Sequence, residues 1–481
     1  AVGTYNSKDV ASASTVTFSG LSLTGADASN YSLTVQSPAS ATITAKALTM
    51  SGLTVSASRI YDGTTAATVS GTAALLSSEA VGTGTTADGK PYTGDTVALI
   101  GTAVGTYNSK DVATANSVTF SGLSLNNSNY SLSIQSPAAA TITVKSLTMS
   151  GLIVPTSKVY DGTTTATVSG TATLLSSEAA GTGTTADGKP YTGDVVAITG
   201  TAVGTYNNKN VSSATTVTFS GLSLNNSNYS LTVQSPASAT ITAKALTMSG
   251  LTASASKVYD GTTSANVTGG SLVGVLAADA ANVTLNRSGS FTSQNAANGI
   301  AITMANSISG SSSPNYVLVQ PTGIVANITP APLGITLSAV YSGTTTITPT
   351  TFTLTGLVNG ETISAISSAN VANINVAGNS TNFVRSIVIA GGTALASNYT
   401  FNNAASTTAG TALNTVTLAT KTLTVTGTLA DAKVYDGTTS ANVWGGVLSG
   451  IAAGDVVLLK QAGSFTTPNV GTAVPVLVND T

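Results

Sequence analysis

The 481-residue chain contains no cysteine, no histidine and only one tryptophan. These absences exclude disulfides, thiolate nucleophiles, imidazole catalysis and the usual zinc sites. Charged residues make up only 7% of the chain, and the net charge is -2, so there is no basic field for nucleic-acid binding. Ser and Thr interrupt every apolar stretch before it reaches the ~18 residues of a membrane helix. We therefore expect neither a nucleic-acid partner nor a membrane span.

The abundant residue types predict strands. Apolar residues make up 42% of the chain, which is the reverse of the composition of a disordered protein. Thr and Val are frequent and favour strands, whereas the strong helix formers are sparse. Leu147 and Met149 alternate with polar residues, and Gly151 breaks this alternation before Leu152. About seven such strands per ~99 residues, with frequent turns, predict an all-β, immunoglobulin-like antiparallel β-sandwich.

Two markers alternate strictly along the chain. The first, Tyr-Asp-Gly-Thr-Thr, begins at Tyr61, Tyr160, Tyr259 and Tyr435, with a weakened form at Tyr341. The second, Asn-Tyr, occurs at Asn30, Asn129, Asn228, Asn315 and Asn398. Cutting before the first strand of each unit gives repeats 1 to 4, at 46–144, 145–243, 244–329 and 330–420.

The two ends of the chain each match only part of a repeat. Residues 1–45 match the tail of an earlier unit and residues 421–481 the head of a later one, so we expect a segment of a longer array. These are called the N-terminal and C-terminal partial repeats. An alternative is that partial repeats of separate chains complement one another, as in donor-strand fibres. The overlap of the stretch from Gly463 onward with the stretch from Ala1 disfavours this alternative.

The first marker predicts a turn. Asp accepts hydrogen bonds from nearby amides, Gly supplies a positive φ, and the two Thr re-enter a strand. The residues of this structural motif are Tyr61, Asp62, Gly63, Tyr160, Asp161, Gly162, Tyr259, Asp260, Gly261, Tyr435, Asp436 and Gly437. A carboxylate site for a cation or a sugar is the alternative, but a single Asp supplies too few oxygens for Ca²⁺. No metal or cofactor is expected.

Two aromatic features have structural and binding interpretations. The tyrosine of each Asn-Tyr marker is expected to act as a corner that buries its ring and bonds a backbone group through its hydroxyl. A stacking platform for sugars is the alternative. Trp444, the single tryptophan, is expected to pack at a repeat junction, with exposure for partner contact as the alternative.

An insert shared by repeats 1 and 2 carries a large share of the charge. It runs over 75–95 and 174–194, and its acids are Glu79, Asp88, Asp95, Glu178, Asp187 and Asp194. We expect a solvated, Gly-rich hairpin, with ligand or cation contact as the alternative. Paired carboxylates serve glycoside hydrolysis, but the chain has no other catalytic equipment, so we do not expect an enzyme.

A covalent alternative concerns the lysines at matching first-strand positions. Lys46, Lys145 and Lys244 each precede an acid of the first marker, Asp62, Asp161 and Asp260. An isopeptide bond between such a pair, as in surface fibres of some bacteria, requires the two side chains to meet in an apolar core. The sequence does not establish such a meeting.

The tandem markers resemble a known family. Lys-Val-Tyr-Asp-Gly-Thr-Thr with a downstream Asn-Tyr-x-Leu resembles the YDG-type repeats, and repeat 4 is similar to the related MBG-type domains. Repeat 4 has Ser342 where the marker has Asp. Both types occur in very large secreted bacterial adhesins, often with a filamentous-haemagglutinin-like export domain of the two-partner-secretion type. The resemblance implies a cell-surface or extracellular location, a structural or adhesive role, and no catalytic residues.

The connections between repeats are short. Residues 240–246 pass from a last strand to a first strand without a Gly/Ser linker, which predicts a semi-rigid, elongated rod. The leading hypothesis is a structural stalk or fibre segment of a surface adhesin, serving attachment or biofilm formation. Its expected partners are flanking repeats or other copies of the same long chain. The second hypothesis is a multivalent array that binds host or matrix glycans or proteins.

Overall fold

The computed structural model describes all 481 residues, which form an all-β protein. The chain divides into two compact units, Ala1–Thr242 and Ala243–Thr481. Helical segments are limited to short 3₁₀ turns, at Ala28–Asn30, Ala277–Asn282, Ser313–Asn315, Val376–Thr381, Ala396–Asn398 and Gly410–Ala412. None of these helices has the length or apolar character needed to cross a membrane.

The first unit contains the N-terminal partial repeat and repeats 1 and 2. The partial repeat has strands β1 (Val2–Tyr5), β2 (Thr15–Ser19) and β3 (Ala39–Ser40). Repeat 1 has β4 (Lys46–Val55), β5 (Ser58–Ile60), β6 (Ala66–Ala67), β7 (Val69–Leu75), β8 (Leu99–Tyr107), β9 (Ser117–Leu125), β10 (Tyr130–Ser133), β11 (Ala138–Ala139) and β12 (Thr141–Thr143). Repeat 2 has β13 (Lys145–Ile153), β14 (Ser157–Val159), β15 (Thr165–Ala166), β16 (Ser169–Leu174), β17 (Ile198–Tyr206), β18 (Thr216–Leu224), β19 (Tyr229–Thr232), β20 (Ala237–Ser238) and β21 (Thr240–Thr242).

Repeats 1 and 2 have the same three sheets. In repeat 1 their strand orders are β10-β4-β7, β11-β9-β8-β6 and β12-β5, and repeat 2 has the corresponding orders. The strand count exceeds the expected number because two-residue strands and the short β12-β5 pair were not visible in the alternation. The insert between β7 and β8 contains no named strand.

Strand direction corrects one part of the sequence prediction. Most pairs are antiparallel, but β4 pairs in parallel with β10, and β5 pairs in parallel with β12. Alternation of apolar and polar residues determines which face of a strand is buried, and it is the same for either strand direction. A purely antiparallel fold was therefore the wrong expectation at this edge, where the Asn-Tyr strand returns beside the first strand.

A glycine bulge explains the break in the first-strand pattern. In β13 the register shifts between Ser150 and Leu152, and Gly151 has φ +98°. A Cβ on Gly151 would lie 2.3 Å from the carbonyl oxygen of Thr171. The extra residue turns Leu152 back to the face that already buries Met149, so both side chains enter the core.

The second unit contains repeats 3 and 4 and the C-terminal partial repeat. Repeat 3 has β22 (Lys244–Ala253), β23 (Ser256–Val258), β24 (Val267–Val273), β25 (Thr284–Asn286), β26 (Gly289–Phe291), β27 (Ala297–Met304), β28 (Ser307–Ser309), β29 (Tyr316–Leu318) and β30 (Val325–Thr329). Repeat 4 has β31 (Ala331–Pro332), β32 (Gly334–Val340), β33 (Thr346–Ile347), β34 (Pro349–Thr355), β35 (Ile363–Val371), β36 (Val384–Gly392), β37 (Tyr399–Thr400) and β38 (Asn414–Ala419). The partial repeat has β39 (Thr424–Thr426), β40 (Leu429–Ala430), β41 (Ser440–Ala441), β42 (Val443–Trp444), β43 (Val447–Ser449), β44 (Gly463–Phe465) and β45 (Val476–Val478).

Apolar cores continue from one repeat into the next within each unit. One buried cluster in the first unit combines Tyr61 and Ile142 of repeat 1 with Leu147 and Tyr229 of repeat 2. A cluster in the second unit likewise joins repeats 3 and 4. Within repeat 2, a separate cluster around Phe219 joins side chains of its two larger sheets. Burial therefore extends across the junctions and is not confined to single repeats.

Candidate functional site: the junctions between repeats

The Tyr-Asp-Gly-Thr-Thr marker forms the predicted turn. Oδ1 of Asp62 accepts hydrogen bonds from the backbone amide and the hydroxyl of Thr64, at 2.8 and 2.9 Å. Gly63 has φ +79°. Asp161, Asp260 and Asp436 make the same two bonds to the Thr two residues later. The Asp and Gly therefore have the local roles that the sequence predicted.

A basic residue three positions earlier completes each turn. Arg59 pairs with Asp62, and Lys158 lies 2.7 Å from Oδ1 of Asp161. Burial acts to raise the pKa of Asp161, but hydrogen bonds from Lys158 and Thr163 outweigh it and lower the pKa below its ordinary value. At Asp436 the hydrogen bond from the matching lysine is the largest cause, and the pKa is lowered to about 2.

Repeat 4 keeps the shape of the turn with different side chains. The hydroxyl of Ser342 lies 3.3 Å from that of Thr344, in place of the Asp–Thr bonds. Gly343 has φ +79°, as in the other turns. The positive-φ glycine thus preserves the chain reversal where the carboxylate is missing.

The tyrosine of the turn reaches into the following repeat. Tyr61 is fully buried, and its hydroxyl donates to Oδ2 of Asp194 in the insert of repeat 2, at 2.7 Å. Tyr229, from the Asn-Tyr marker of repeat 2, donates to the same oxygen at 2.7 Å. The two tyrosine rings pack edge to face, with their centroids 5.3 Å apart. The two markers therefore meet on one carboxylate across the junction.

A lysine of repeat 1 supplies the counter-charge. Nζ of Lys110 donates to Oδ1 of Asp194 and to the hydroxyl of Tyr61, both at 3.1 Å. Burial acts to raise the pKa of Asp194, but hydrogen bonds from Tyr229, Tyr61 and Lys110 lower it below its ordinary value. Burial and the bond to Asp194 raise the pKa of Tyr229. This junction is therefore a neutral tyrosine pair on an ionised carboxylate beside an ammonium group.

The second unit contains the same arrangement with another acid. Tyr259 of repeat 3 donates to Oε1 of Glu361, and Tyr399 of repeat 4 donates to Oε2, at 2.6 Å. The rings are again edge to face, with their centroids 5.6 Å apart. Burial and the bonds to Glu361 raise the pKa of both tyrosines to about 12. At the next junction, the nearby Asp455 carboxyl acts to raise the pKa of Tyr341.

The asparagine of the second marker ties the junction from the other side. Asn228 of repeat 2 accepts the backbone N–H of Val112 at 2.8 Å and donates to Oδ1 of Asp111 at 2.7 Å. Asn129 binds Val10 and Asp9 in the same way. Asn398 also receives a backbone N–H of the preceding repeat, at 2.8 Å, which shows that the contact recurs in the second unit.

The turn glycine is required by the neighbouring repeat as well as by its own φ. A Cβ on Gly63 would lie 2.8 Å from Cβ of Ala180, which belongs to the insert of repeat 2. The amide of Gly181 donates to the carbonyl oxygen of Asp62 at 2.8 Å. A side chain at position 63 would therefore separate the two repeats.

A comparison with protein-family models assigns these repeats. The model of the YDG domain matches residues 1–41, 44–140, 143–239, 242–323 and 419–481. The chain belongs to the YDG domain family. No curated protein and no solved structure gives a significant match. The unmatched stretch 324–418 contains most of the divergent repeat 4, whose acid at the junction is Glu361.

The acids of the YDG inserts all bind groups of the chain itself. Glu79 and Asp88 hold Lys46, and Glu178 and Asp187 hold Lys145. Asp95 accepts the hydroxyl of Tyr130 at 2.7 Å and lies 3.7 Å from Lys8, whereas Asp194 binds the two tyrosines described above. The structure holds no group of three or more acids that fits a metal ion. Ligand binding by these acids stays a prediction.

The lysine and aspartate pairs considered for an isopeptide bond lie apart. Lys46 contacts the acids of its insert, while Asp62 pairs with Arg59 and Asp161 with Lys158. Lys46 and Lys145 meet the acids of the insert instead, because the insert folds back over the first strand.

The tyrosines and the tryptophan follow their predicted roles in part. Tyr229 also accepts the backbone amide of Tyr191 at 2.9 Å, so the YDG tyrosine corner is present together with the carboxylate contact. Trp444 is 50% exposed and donates to Asp431 at 2.8 Å, within its own partial repeat. The expected packing of Trp444 at a repeat junction is therefore not seen.

The sequence analysis missed a third recurring segment, whose side chains bind residues of the two markers and of the insert at the junction. Lys110 and Asp111 belong to this segment, Tyr-Asn-x-Lys-(Asp/Asn)-Val, at 5–10, 107–112 and 206–211. In repeats 1 and 2 it recurs at the same distance from both markers, and this was the available signal. Sequence alone did not indicate that the contacts run between repeats.

Proposed function

We propose that this chain is a structural stalk or fibre segment of a bacterial cell-surface adhesin. It projects, or assembles as, an extracellular filament for attachment or biofilm formation. Its role is mechanical and not catalytic, and its principal partners are flanking repeats of the same long chain. The chain resembles YDG-type and MBG-type repeats, which occur in large secreted adhesins, and this resemblance supports the proposed location.

The convergence of both markers on the repeat junctions carries the proposal. Tyr61, Asp194, Tyr229 and Asn228 all make contacts between consecutive repeats. Residues that recur for binding an external ligand would be expected to point outward. A recurring contact between repeats instead fixes each repeat against its neighbour, which is what a spacer requires.

The proposal extends to the fold of the repeats. We propose that each repeat is an immunoglobulin-like β-sandwich and that the array is an elongated rod. Repeat 4 is taken as an MBG-like domain that serves as a spacer of the same kind. Tyr259 and Tyr399 meet on Glu361 as the tyrosines of the first unit meet on Asp194, which supports the same spacer role for repeat 4.

Negative-stain electron microscopy of the full chain tests the mechanical role. We expect a thread of beads with a narrow distribution of contour shapes. Threads of the Asp194→Ala variant should bend at one additional place, the junction of repeats 1 and 2. Asp95→Ala is the matched control, because it removes the same tyrosine bond where there is no Tyr-Asp-Gly partner, and otherwise only a 3.7 Å ion pair with the exposed Lys8 of the partial repeat. Compact particles around a single cleft would overturn the proposal.

A cavity in the first unit favours a second candidate, a multivalent array that binds glycans or proteins. It measures about 600 Å³ and is lined by Tyr5, Tyr92, Asp95 and Tyr130, among others. Aromatic and acidic side chains in a concave surface are suited to sugars. Screening the full chain on arrays of glycans and matrix proteins separates the two candidates. Binding that is lost in Asp95→Ala favours the array, and no binding favours the stalk.

A further inference from the structure

Repeats 1 and 2 each contain one buried lysine whose surroundings are not explained by the contacts between repeats. Lys145 begins β13 at a core position, and its side chain is fully buried. Its Nζ lies 2.8 Å from Oε1 of Glu178 and 3.0 Å from Oδ1 of Asp187. The ring of Tyr191 covers it, with the centroid 3.9 Å from Nζ. A primary amine is thus enclosed with two carboxyl groups, away from bulk water.

Repeat 1 reproduces the same cluster. Nζ of Lys46 lies 2.5 Å from Oε1 of Glu79 and 3.0 Å from Oδ1 of Asp88, and the ring of Tyr92 is 4.1 Å away. The Lys46 side chain is only 7% exposed. Repeat 3 has a shorter segment in place of the insert, and its Lys244 forms no ion pair. The cluster therefore accompanies the insert and is not a general need of the fold.

The two carboxyl groups of each cluster lie side by side. In repeat 2 their outer oxygens converge on Gly183, where a Cβ would lie 2.4 Å from Glu178 and 2.9 Å from Asp187. The glycine leaves the space in which this carboxyl pair fits.

The backbone distinguishes the two carboxyl groups. Oδ1 of Asp187 accepts the backbone N–H of Lys189 at 3.0 Å. Burial acts to raise the pKa of Asp187, but this bond and those from Lys145 and Glu178 lower it to about 2. The Glu178 side chain has no such backbone donor and pairs only with Lys145, so of the two carboxyl groups it is the one suited to react in a protonated form. An amine attacks a protonated carboxyl group more readily than a carboxylate. Oε1 of Glu178 is also nearer to Nζ of Lys145 than Oδ1 of Asp187 is.

We propose that Lys145 and Lys46 form intramolecular isopeptide bonds with Glu178 and Glu79. In repeat 2, Asp187 takes one proton from the Lys145 ammonium, and the freed amine attacks Cδ of Glu178. The new N–C bond forms as the C–OH bond of the protonated carboxyl breaks. The hydroxyl leaves as water with a second amine proton, and the amide nitrogen keeps the third. No oxidant or further reactant is needed.

The position of the acids allows the product water to leave. The Glu178 and Asp187 side chains are 13% and 18% exposed, while the amine beneath them is fully buried. The bond would tie the first strand of the repeat to the insert that carries Asp194. A covalent link would thus hold the junction acid to the core of its own repeat.

Mass spectrometry of the intact, denatured full chain tests the proposal. Each bond removes one water, so the chain should weigh two waters less than its sequence. Digestion should give a branched peptide joining Lys145 to Glu178 and another joining Lys46 to Glu79, with Lys244 in an unbranched peptide. A chain with the full mass of its sequence would overturn the proposal.

One side reaction gives the same mass change and is controlled separately. Asp187 and Asp88 each precede a glycine, and such pairs lose water as a cyclic imide. Lys145→Arg and Lys46→Arg keep the charge but remove the amine, so each should restore one water. Water loss that persists in the double variant, or a branch through Asp187, would contradict the assigned bonds. The wild-type mass does not depend on how these variants fold.

Discussion

At the scale of single residues, the recurring tyrosines mark contacts between neighbours. Asn-Tyr and Tyr-Asp-Gly both include residues that serve local turns, and the local turn explains Asp62 and Gly63 well. Tyr61 has no local role of this kind, because its hydroxyl binds Asp194 of repeat 2 and its ring packs against Tyr229. Its recurrence reflects a partner that is far away in sequence.

Removing one hydroxyl tests the energetic weight of this contact. Tyr61→Phe should destabilise the junction of repeats 1 and 2 by about 1.5–3 kcal/mol, because the lost hydrogen bond has a charged acceptor. Hydrogen exchange in peptides of both repeats measures the effect. Tyr435→Phe is the matched control, since Tyr435 is 61% exposed and should show no change. Equal effects of the two variants would contradict the assignment.

Acid should weaken the same junction. Because the pKa of Asp194 is lower in the folded chain, its contribution to stability is complete above the ordinary value of about 3.9. That contribution is lost as the pH falls through the lowered folded value. Urea unfolding of the first unit should therefore show a steeper loss of stability below about pH 4 in the wild type than in Asp194→Asn. Parallel curves would mean that Asp194 is not ionised in the fold.

At the scale of elements, the turn and the insert fit each other. The Tyr-Asp-Gly turn of repeat 1 receives the amide of Gly181, and its glycine leaves room for Ala180. Lys145 connects the same insert to the first strand of repeat 2. The insert is thus positioned from both sides, which explains why its charges are not simply solvated.

A methyl group on the turn glycine tests this fit. Gly63→Ala should cost about 1 kcal/mol for the positive φ, and additional stability because the new Cβ meets Ala180. Gly437→Ala is a matched control, because Gly437 occupies the same turn with φ +77° and has no atom within 4 Å of a Cβ. Faster exchange of the Gly181 amide in Gly63→Ala, with only a local effect in Gly437→Ala, is the expected result. Indistinguishable effects would exclude the close approach.

Sequence patterns predicted local geometry better than pairing. The turn at Asp62 and the burial of Leu147 and Met149 follow from residue chemistry and from the period of two. The parallel pairing of β4 with β10 could not be predicted, because alternation is blind to strand direction. The meeting of Tyr61 with Asp194 was likewise hidden, since sequence spacing does not say whether a marker acts within its repeat or on the next.

At the scale of the whole molecule, each compact unit contains repeats that share a core. Tyr61 and Leu147 belong to one buried cluster although they lie in different repeats. In a linear array, stability is the sum of terms within repeats and terms between neighbours. Contacts as extensive as these make the neighbour term large, so repeats 1 and 2 should unfold together.

The most direct test of the central claim is the distance distribution between repeats 1 and 2. The chain has no native cysteine, so Ser121→Cys and Ser220→Cys, at equivalent exposed positions of β9 and β18, allow two spin labels to be attached cleanly. Pulsed electron–electron double resonance should give one narrow distance distribution when the junction is otherwise wild type. It should give a broad distribution when Tyr61→Phe and Asp194→Ala are combined. A broad distribution already in the wild type would contradict the claim that these contacts fix consecutive repeats.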